Sequence, residues 1–475
     1  MEKIRLLTEG YISGDMSIAK MEYGYLQQVL QLCLGLLKFV IKAKLSSGKL
    51  GKPEVSPSDK LRSSGKRSRK YLSLFGMLEF SRPAYHSQEL GMLYALDERL
   101  CMPVNLWSYN IQELTAQGAS ETSFRESILL LNQLLGLNLT DPASERNVER
   151  LGNHVDAFYE AKPIEPVPDD DCFCVSFDGK GVPKIKPRDQ DASQRFDRLG
   201  KGQKRGTKQM ATVSVISHFK PRKRDKASII RGLMGWYDAK DKSQHEDQTN
   251  DNRWHQDIHR RAFLADQDKA IDYSMAYIKA RIGHPGQRFV VPVDAGIGLE
   301  NSILKHVDKH HLSEHFDGII LDIIHVSEYV WDCANALLGE KSALRATWVK
   351  EMLEDILDSK SQKVIKDLQL IVNKGTITQS RKEKIQKAIT YFTNHAHKMD
   401  YKTYLDKGYP ISSALVESNC KHLVKDRMEQ SGMRWSNAGA QAMMDVRAAK
   451  LNGDLPDLVS FIAEKERKIK QQKAA

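Results

Sequence analysis

Between Cys172 and Val326 the hydrophobic pattern changes period in a fixed order, and that order limits the possible folds more than any other feature of the chain. CFCVSFDGKGV, GTKQMATVSVISHF and RDKASIIRGLMGWY are rich in Val, Ile and Phe, which predicts three successive strands. A helix is expected from Phe263 to Arg281, a fourth strand in QRFVVPVDAG, a helix in LENSILKHV and a fifth strand in FDGIILDIIHV. Asp178 then ends the first strand and Asp294 the fourth, while Glu417 falls in PISSALVESNCKHLV, a helical pattern after the break at Pro410.

Three strands, helix, strand, helix, strand is the order of an RNase H-like mixed sheet, in which the first and fourth strands are neighbours. In such a sheet the two aspartates come side by side, and a helix packed across that edge can deliver Glu417. Three converging carboxylates repel one another unless cations neutralise them, and hard oxygen ligands suit Mg²⁺ or Mn²⁺. Two ions about 3.5–4 Å apart serve in-line displacement at phosphorus. Each acid also has an ordinary explanation: a hairpin turn at Asp178-Gly179, an N-cap at Asp294, and a solvated helix face at Glu417. Their joint placement in one strand order favours the catalytic reading.

Charge points to the same partner. Lys and Arg number 72 against 61 Asp and Glu, for a net +11 with His neutral, which favours a polyanion such as nucleic acid. The stretch Lys180–Arg231 alone outweighs that excess. Lys180 is two residues from Asp178, and Lys201, Lys204, Arg205 and Lys208 lie in RLGKGQKRGTKQ, which joins the first two expected strands beside Asp178; all are candidate phosphate contacts, although charge runs are often solvated loops.

The rest of the chain divides by composition. Residues 1–45 carry one amphipathic helix, 46–70 read as a basic linker, and 71–165 form a mostly α-helical DNA-binding region opening on a strand pair around Phe75-Gly76. Ser123 and Glu126 make a capping box, Gly136 is a helix stop, and DPASERNVERLGNHV follows. Arg146, Asn147 and Arg150 on that second helix suit a helix-turn-helix entering a major groove, or an ordinary helical hairpin with a polar face. The catalytic core occupies 166–325 and 406–450, interrupted by a helical insertion at 326–405, and 451–475 is a tail expected to fray.

Other classes are disfavoured. Six scattered cysteines without a CxxC pair suit neither a disulfide scaffold nor a zinc ribbon, and fit a reducing cytoplasm. The start lacks a signal-peptide core, and the longest uncharged apolar-leaning stretch, Tyr23 to Leu37, is too short to span a bilayer, so no membrane partner is expected. No GxxxxGK(S/T) string exists, so no nucleotide cofactor is expected. HQDIH at His255–His259 has Gln256 where a zinc protease needs its general-base Glu. His306, His310, His311 and His315 invite a metal cluster, but without thiolates or a second ligand motif a polar helix and loop face explains them better.

The strings SFDGKGVP, VPVDAGIGLE, LDIIHVSEYVW and YPISSALVESNCKHLVKDRMEQSGMRWSNAGAQAMMDVRAA resemble, in order, blocks of bacterial insertion-sequence transposases of the Kra type, a DDE group with an RNase H-like core. The resemblance runs from about Arg69 to Ala448 and is most specific at Pro410, Glu417, Arg427, Gly432, Met433, Arg434 and Trp435. It implies a triad of Asp178, Asp294 and Glu417 holding two Mg²⁺ or Mn²⁺ ions, cleavage at terminal inverted repeats, strand transfer into target DNA, and a homo-oligomer on nucleoid DNA. Asp322-Ile323-Ile324-His325 is similar to a (Cys or Asp)-x-x-His signature of several DDE superfamilies, which implies a phosphate- or water-orienting His325 and a supporting Asp322, with a buried core histidine as the alternative. Arg434 and Trp435 would contact DNA, Trp435 by stacking on a base or else by capping the core. Two departures stand out: Cys101 is alone where paired cysteines are expected, and SSAL at Ser412–Leu415 lacks the usual glycine. A nuclease that cuts without joining and a catalytically dead DNA-binding regulator are the alternatives.

Overall fold

The computed structural model describes residues 2–14, 17–47, 50–53, 55, 59–185, 208–237, 254–296, 298–374, 377–430 and 432–472. The chain forms two compact units, one of Met1–Lys162 with Ala438–Ala475 and one of Pro163–Asn437.

The first unit opens with helices α1 (Glu2–Ile12) and α2 (Ile18–Ser46), followed by an antiparallel sheet of β1 (Arg62–Ser73), β2 (Gly76–Ser87) and β3 (Gly91–Leu93). Ser73 pairs with Gly76, so the turn falls where the Phe75-Gly76 break predicts it. The last nine residues of the expected basic linker, Arg62–Lys70, are therefore strand and pair along β2, because a ladder needs backbone partners rather than apolar side chains. Helices α3 (Ala95–Arg99), α4 (Tyr109–Glu121), α5 (Phe124–Leu135), α6 (Asp141–Gly152) and α7 (Val155–Ala161) follow. At the start of α5 the Ser123 hydroxyl accepts the Glu126 N–H at 3.1 Å and the Glu126 carboxylate accepts the Ser123 N–H at 3.2 Å, and Gly136 ends the helix in the left-handed region at φ 65°.

The second unit is a five-stranded mixed sheet covered on both faces. Its strands are β4 (Cys172–Pro183), β5 (Lys208–Phe219), β6 (Gln256–Leu264), β7 (Phe289–Val293) and β8 (Phe316–Leu321), in the order β6-β5-β4-β7-β8. β4, β5 and β6 run antiparallel, while β7 is parallel to both β4 and β8. On one face Phe173, Val175, Phe177, Val291 and Val293 pack against Ile271, Met275 and Ile278 of α9 (Gln267–Arg281) and Ile303 and Val307 of α10 (Leu299–Lys309). On the other, Cys172, Cys174, Val290 and Ile320 meet α8 (Lys226–Tyr237), α11 (Ile323–Leu338), α12 (Leu344–Leu357), α13 (Ser361–Asn373), α14 (Gln379–His395) and α15 (Tyr401–Asp406). α16 (Ala414–Asn419), a π-helical stretch at Cys420–Lys425 and the short α17 (Asp426–Met428) complete the unit.

Two expected elements differ. RDKASIIRGLMGWY is not the third strand but helix α8, whose Ile230 and Leu233 sit on one helical face in the core. The third strand is the polar QDIHRRAFL, so Gln256 and His259 are on β6. It hides its charge by burying Arg261 with its guanidinium over the rings of Tyr273 (4.8 Å) and Phe263 (5.1 Å). FDGIILDIIHV likewise stops being strand at Leu321, and Asp322 caps helix α11.

The chain then returns to the first unit with α18 (Asn437–Leu451) and α19 (Leu455–Gln472), so most of 406–450 past Asn437 does not belong to the sheet-bearing unit. The expected tail is helix over its described residues as far as Gln472: Leu455, Leu458, Val459 and Ile462 are buried, and Glu466 accepts from Arg150 (2.9 Å), the Tyr109 hydroxyl (2.8 Å) and the Val104 N–H (3.1 Å).

Candidate active site

Strand alternation decides where the acids point. Phe173, Val175 and Phe177 of β4 enter the α9/α10 face, so Cys172, Cys174 and, further on, Asp178 belong to the face under α11. Val290 of β7 packs on that second face, and Asp294, just past the strand end, keeps the same parity. Phe173 pairs with Phe289 and Cys174 with Val290, and each strand carries its aspartate four residues beyond that last pair, at Asp178 and Asp294. Each aspartate accepts the N–H of the next residue at 2.6 Å, Gly179 and Ala295 respectively.

The third acid arrives on α16, which packs across β4 and β5. Arg260 of β6 fixes that helix by donating to Asn419 at 2.5 Å. One turn beyond Glu417 the Cys420 thiol bonds to Asp178; burial first, and that carboxylate second, raise its pKa and keep it protonated. Where α16 passes into its π-helical stretch, the one-residue-wider turn re-aims side chains, as such turns do at functional sites.

His325 joins the acids. On the first turn of α11 its Nε2 lies 3.2 Å from Glu417 Oε1 and 4.0 Å from Asp294 Oδ2, and its Nδ1 lies 3.1 Å from Glu328. Glu417 above all, with Asp294, Asp322 and Glu328 adding to it against the cost of burial, pushes the imidazole pKa up to about 10, so it is a cation at neutral pH. Glu417 Oε1 is itself buried and has no hydrogen-bond partner of good geometry. The His325 imidazolium faces that oxygen, and beside it the carboxylates of Glu417, Asp294 and Asp178 are hard oxygen donors of the kind that suits a divalent ion. The tightest group of ligand atoms in this site is nevertheless Asp322, His325 and Glu417, all within 4.8 Å of one another.

Asp322 is fully buried and fully engaged. It accepts the Ile324 N–H (2.7 Å), the Ser413 N–H (3.0 Å) and the Ser413 hydroxyl, while its own N–H donates to Val293 O at 2.9 Å. Burial raises its carboxyl above the usual range, against those donors and His325. It thus ties the end of β7, the start of α11 and the segment leading into α16, which leaves Asp294, with a side chain 59% exposed, as the middle acid open to an ion.

The expected DNA contacts separate into three groups. Lys201, Lys204 and Arg205 lie outside the described residues. Lys180 is half-buried two residues from Asp178, and Arg146 and Arg434 are exposed. The others are structural. Asn147 is buried and donates to Gln112 O (2.8 Å) and Thr115 Oγ1 (2.9 Å), Arg150 pairs with Glu466, and Lys208 pairs with Glu429. With two of its three outward residues turned inward, the pair α5–α6 is a packed helical hairpin. Trp435 is buried, donates its indole N–H to Met428 O at 3.1 Å and lies under the Arg427 guanidinium at 4.9 Å, so it caps the core rather than offering a stacking face.

Sequence reasoning missed Ser413, Glu328 and Arg260, which hold the acids and His325 in place. Ser413 and Glu328 sit near Glu417 and His325 in sequence, but only the fold reveals which side chain each one touches. No protein-family model matches the chain, and no curated protein matches it either.

Proposed function

We propose that the protein is a DDE-type transposase with an RNase H-like core, in which Asp178, Asp294 and Glu417 hold Mg²⁺ or Mn²⁺, two ions in the working state. The observation that supports this reading is that Asp178 and Asp294, four residues beyond paired Cys174 and Val290, share the parity of one sheet face, with α16 and its Glu417 packed on β4. The strand order, with the first strand central and three antiparallel strands followed by two parallel ones, supports the RNase H-like reading. When bound, the ions lower the pKa of an attacking water or 3′ hydroxyl and stabilise the departing oxygen. The chain's own residues supply the rest. Asp322 positions Asp294 and the Glu417 segment through backbone bonds, and His325, beside Glu417 and Asp294, orients the scissile phosphate or a water. Lys180, Arg146 and Arg434 are cations available to DNA phosphates, and the charge that Lys201, Lys204 and Arg205 add to the sequence favours the same polyanion. The partners are the element's terminal inverted repeats and target DNA, bound by a homo-oligomer in the cytoplasm on nucleoid DNA.

A supercoiled plasmid carrying the DNA that flanks the gene tests this, because a transposase gene lies between its own ends. With Mg²⁺ the wild-type protein cuts at those ends and joins them to a second plasmid, and Asp178→Asn, Asp294→Asn and Glu417→Gln each abolish both steps. Cleavage without joined product identifies a nuclease, and cleavage untouched by the three substitutions refutes the triad.

A further inference from the structure

We propose that Asp272, His306 and His310 form a second metal site, for a transition metal of the Zn²⁺ class, that clamps α9 to α10 behind the catalytic sheet. His306 and His310 are four residues apart on α10, which puts both rings on one helical face, and Asp272 projects from the neighbouring α9. One ligand atom from each lies within 4.8 Å of the others. The Asp272 carboxylate is 3.1 Å from His306 Nδ1 and 2.7 Å from His310 Nε2. Ligands about 2.0–2.1 Å from a tetrahedral zinc are about 3.3 Å apart, so the Asp272 carboxylate needs to draw back by about 0.2 Å from His306 and about 0.6 Å from His310.

The surroundings favour a ligand over a solvated polar face. The His306 side chain is only 6% exposed, and its Nε2 is buried without a hydrogen-bond partner. Asp268, one turn before Asp272, has a carboxylate oxygen 3.9 Å from that Nε2 and receives the Ser302 hydroxyl. A carboxylate behind the far nitrogen of a ligating imidazole fixes its tautomer and raises its basicity. Two imidazoles and one carboxylate are borderline ligands that suit Zn²⁺ rather than Mg²⁺, and three protein ligands leave a fourth position for water. The competing occupant is Lys309, whose ammonium is 2.6 Å from Asp272; its side chain is 54% exposed and free to swing into solvent. Because α10 begins five residues after Asp294, a metal here would hold the segment that carries the middle catalytic acid.

Titration of the metal-free full-length protein with Zn²⁺ by calorimetry, and with Co²⁺ by visible absorption, tests the site without any assay of DNA chemistry. Wild type and Glu417→Gln are expected to take up one Zn²⁺ per chain and to show the strong visible bands of tetrahedral Co²⁺. His310→Gln and Asp272→Asn are expected to weaken uptake by about 100-fold while still melting cooperatively, because each removes one of three ligands. Lys309→Ala is expected to tighten it. The site is overturned if His310→Gln binds Zn²⁺ as wild type does, if uptake is lost in Glu417→Gln instead, or if neither metal binds wild type. If His310→Gln fails to fold, Lys309→Ala still decides, since an ordinary ion-pair zipper gives no gain in Zn²⁺ affinity.

Discussion

Replacing Asp322 by Ala separates the positioning acid from the catalytic one. The substitution leaves the Ser413 N–H without its acceptor in a buried segment, which costs about 1–3 kcal/mol, and removes the N-cap of α11, worth about 0.5–2 kcal/mol. The sum is about 1.5–5 kcal/mol, and at about 2 °C per kcal/mol for a unit of this size the melting temperature falls by about 3–10 °C. Asp322→Asn keeps one acceptor oxygen for the Ile324 N–H and loses about half as much. Asp294→Asn, at an exposed position with one local bond, barely moves the melt but abolishes cleavage. Thermal melts read beside plasmid cleavage, at a temperature where every variant is folded, distinguish the two roles. The reasoning is refuted if Asp322→Asn melts like wild type and is inactive while Asp294→Asn still cuts, for then Asp322 is the metal-binding acid.

Gly152 lies where α6 crosses α18, and a Cβ there would sit 2.6 Å from Ala442 Cα, so Gly152→Ala should destabilise the first unit by about 1–3 kcal/mol in a denaturant melt. Asn147→Ala removes bonds to Gln112 and Thr115 and should lower stability by about 1–3 kcal/mol, while the folded variant shifts DNA in a gel as wild type does. Glu300 of α10 is partly buried, which raises its pKa, but bonds from Lys398 (2.7 Å) and His397 (2.8 Å) outweigh this and hold it below its ordinary 4.5. A lowered acid stabilises the fold above its unfolded pKa, so this contribution is full above about pH 4.5, is lost as pH falls through the lower folded value, and is missing in Glu300→Gln melts.

Much of this architecture is legible in the sequence, and the failures share a cause. β4, β7 and β8 are apolar runs bounded by Asp or Gly, and a buried strand leaves that signature because both its faces need apolar side chains. β6 hides because an edge strand can bury Arg261 under aromatic rings that come from α9 and from its own alternate position, information that no local window contains. The composition of α8 suits a strand, but the spacing of its Ile229, Ile230, Leu233 and Met234 follows a helical face. Asp178, Asp294 and Glu417 stand out as acids at the ends of such runs, but the inward turn of Asn147 and Arg150 depends on α4 and α19, the latter more than three hundred residues away. The charged stretch after Leu455 looked like a tail because its apolar residues are few, yet they fall on one face.

The claim on which the rest depends is that the three carboxylates share divalent ions, and Mn²⁺ binding followed by electron paramagnetic resonance tests it most directly. Wild-type protein should remove free Mn²⁺ from solution, and Asp178→Asn, Asp294→Asn and Glu417→Gln should each weaken that uptake by about tenfold or more, with Asp272→Asn as an unaffected control. Equal Mn²⁺ uptake by wild type and all three variants would contradict the account.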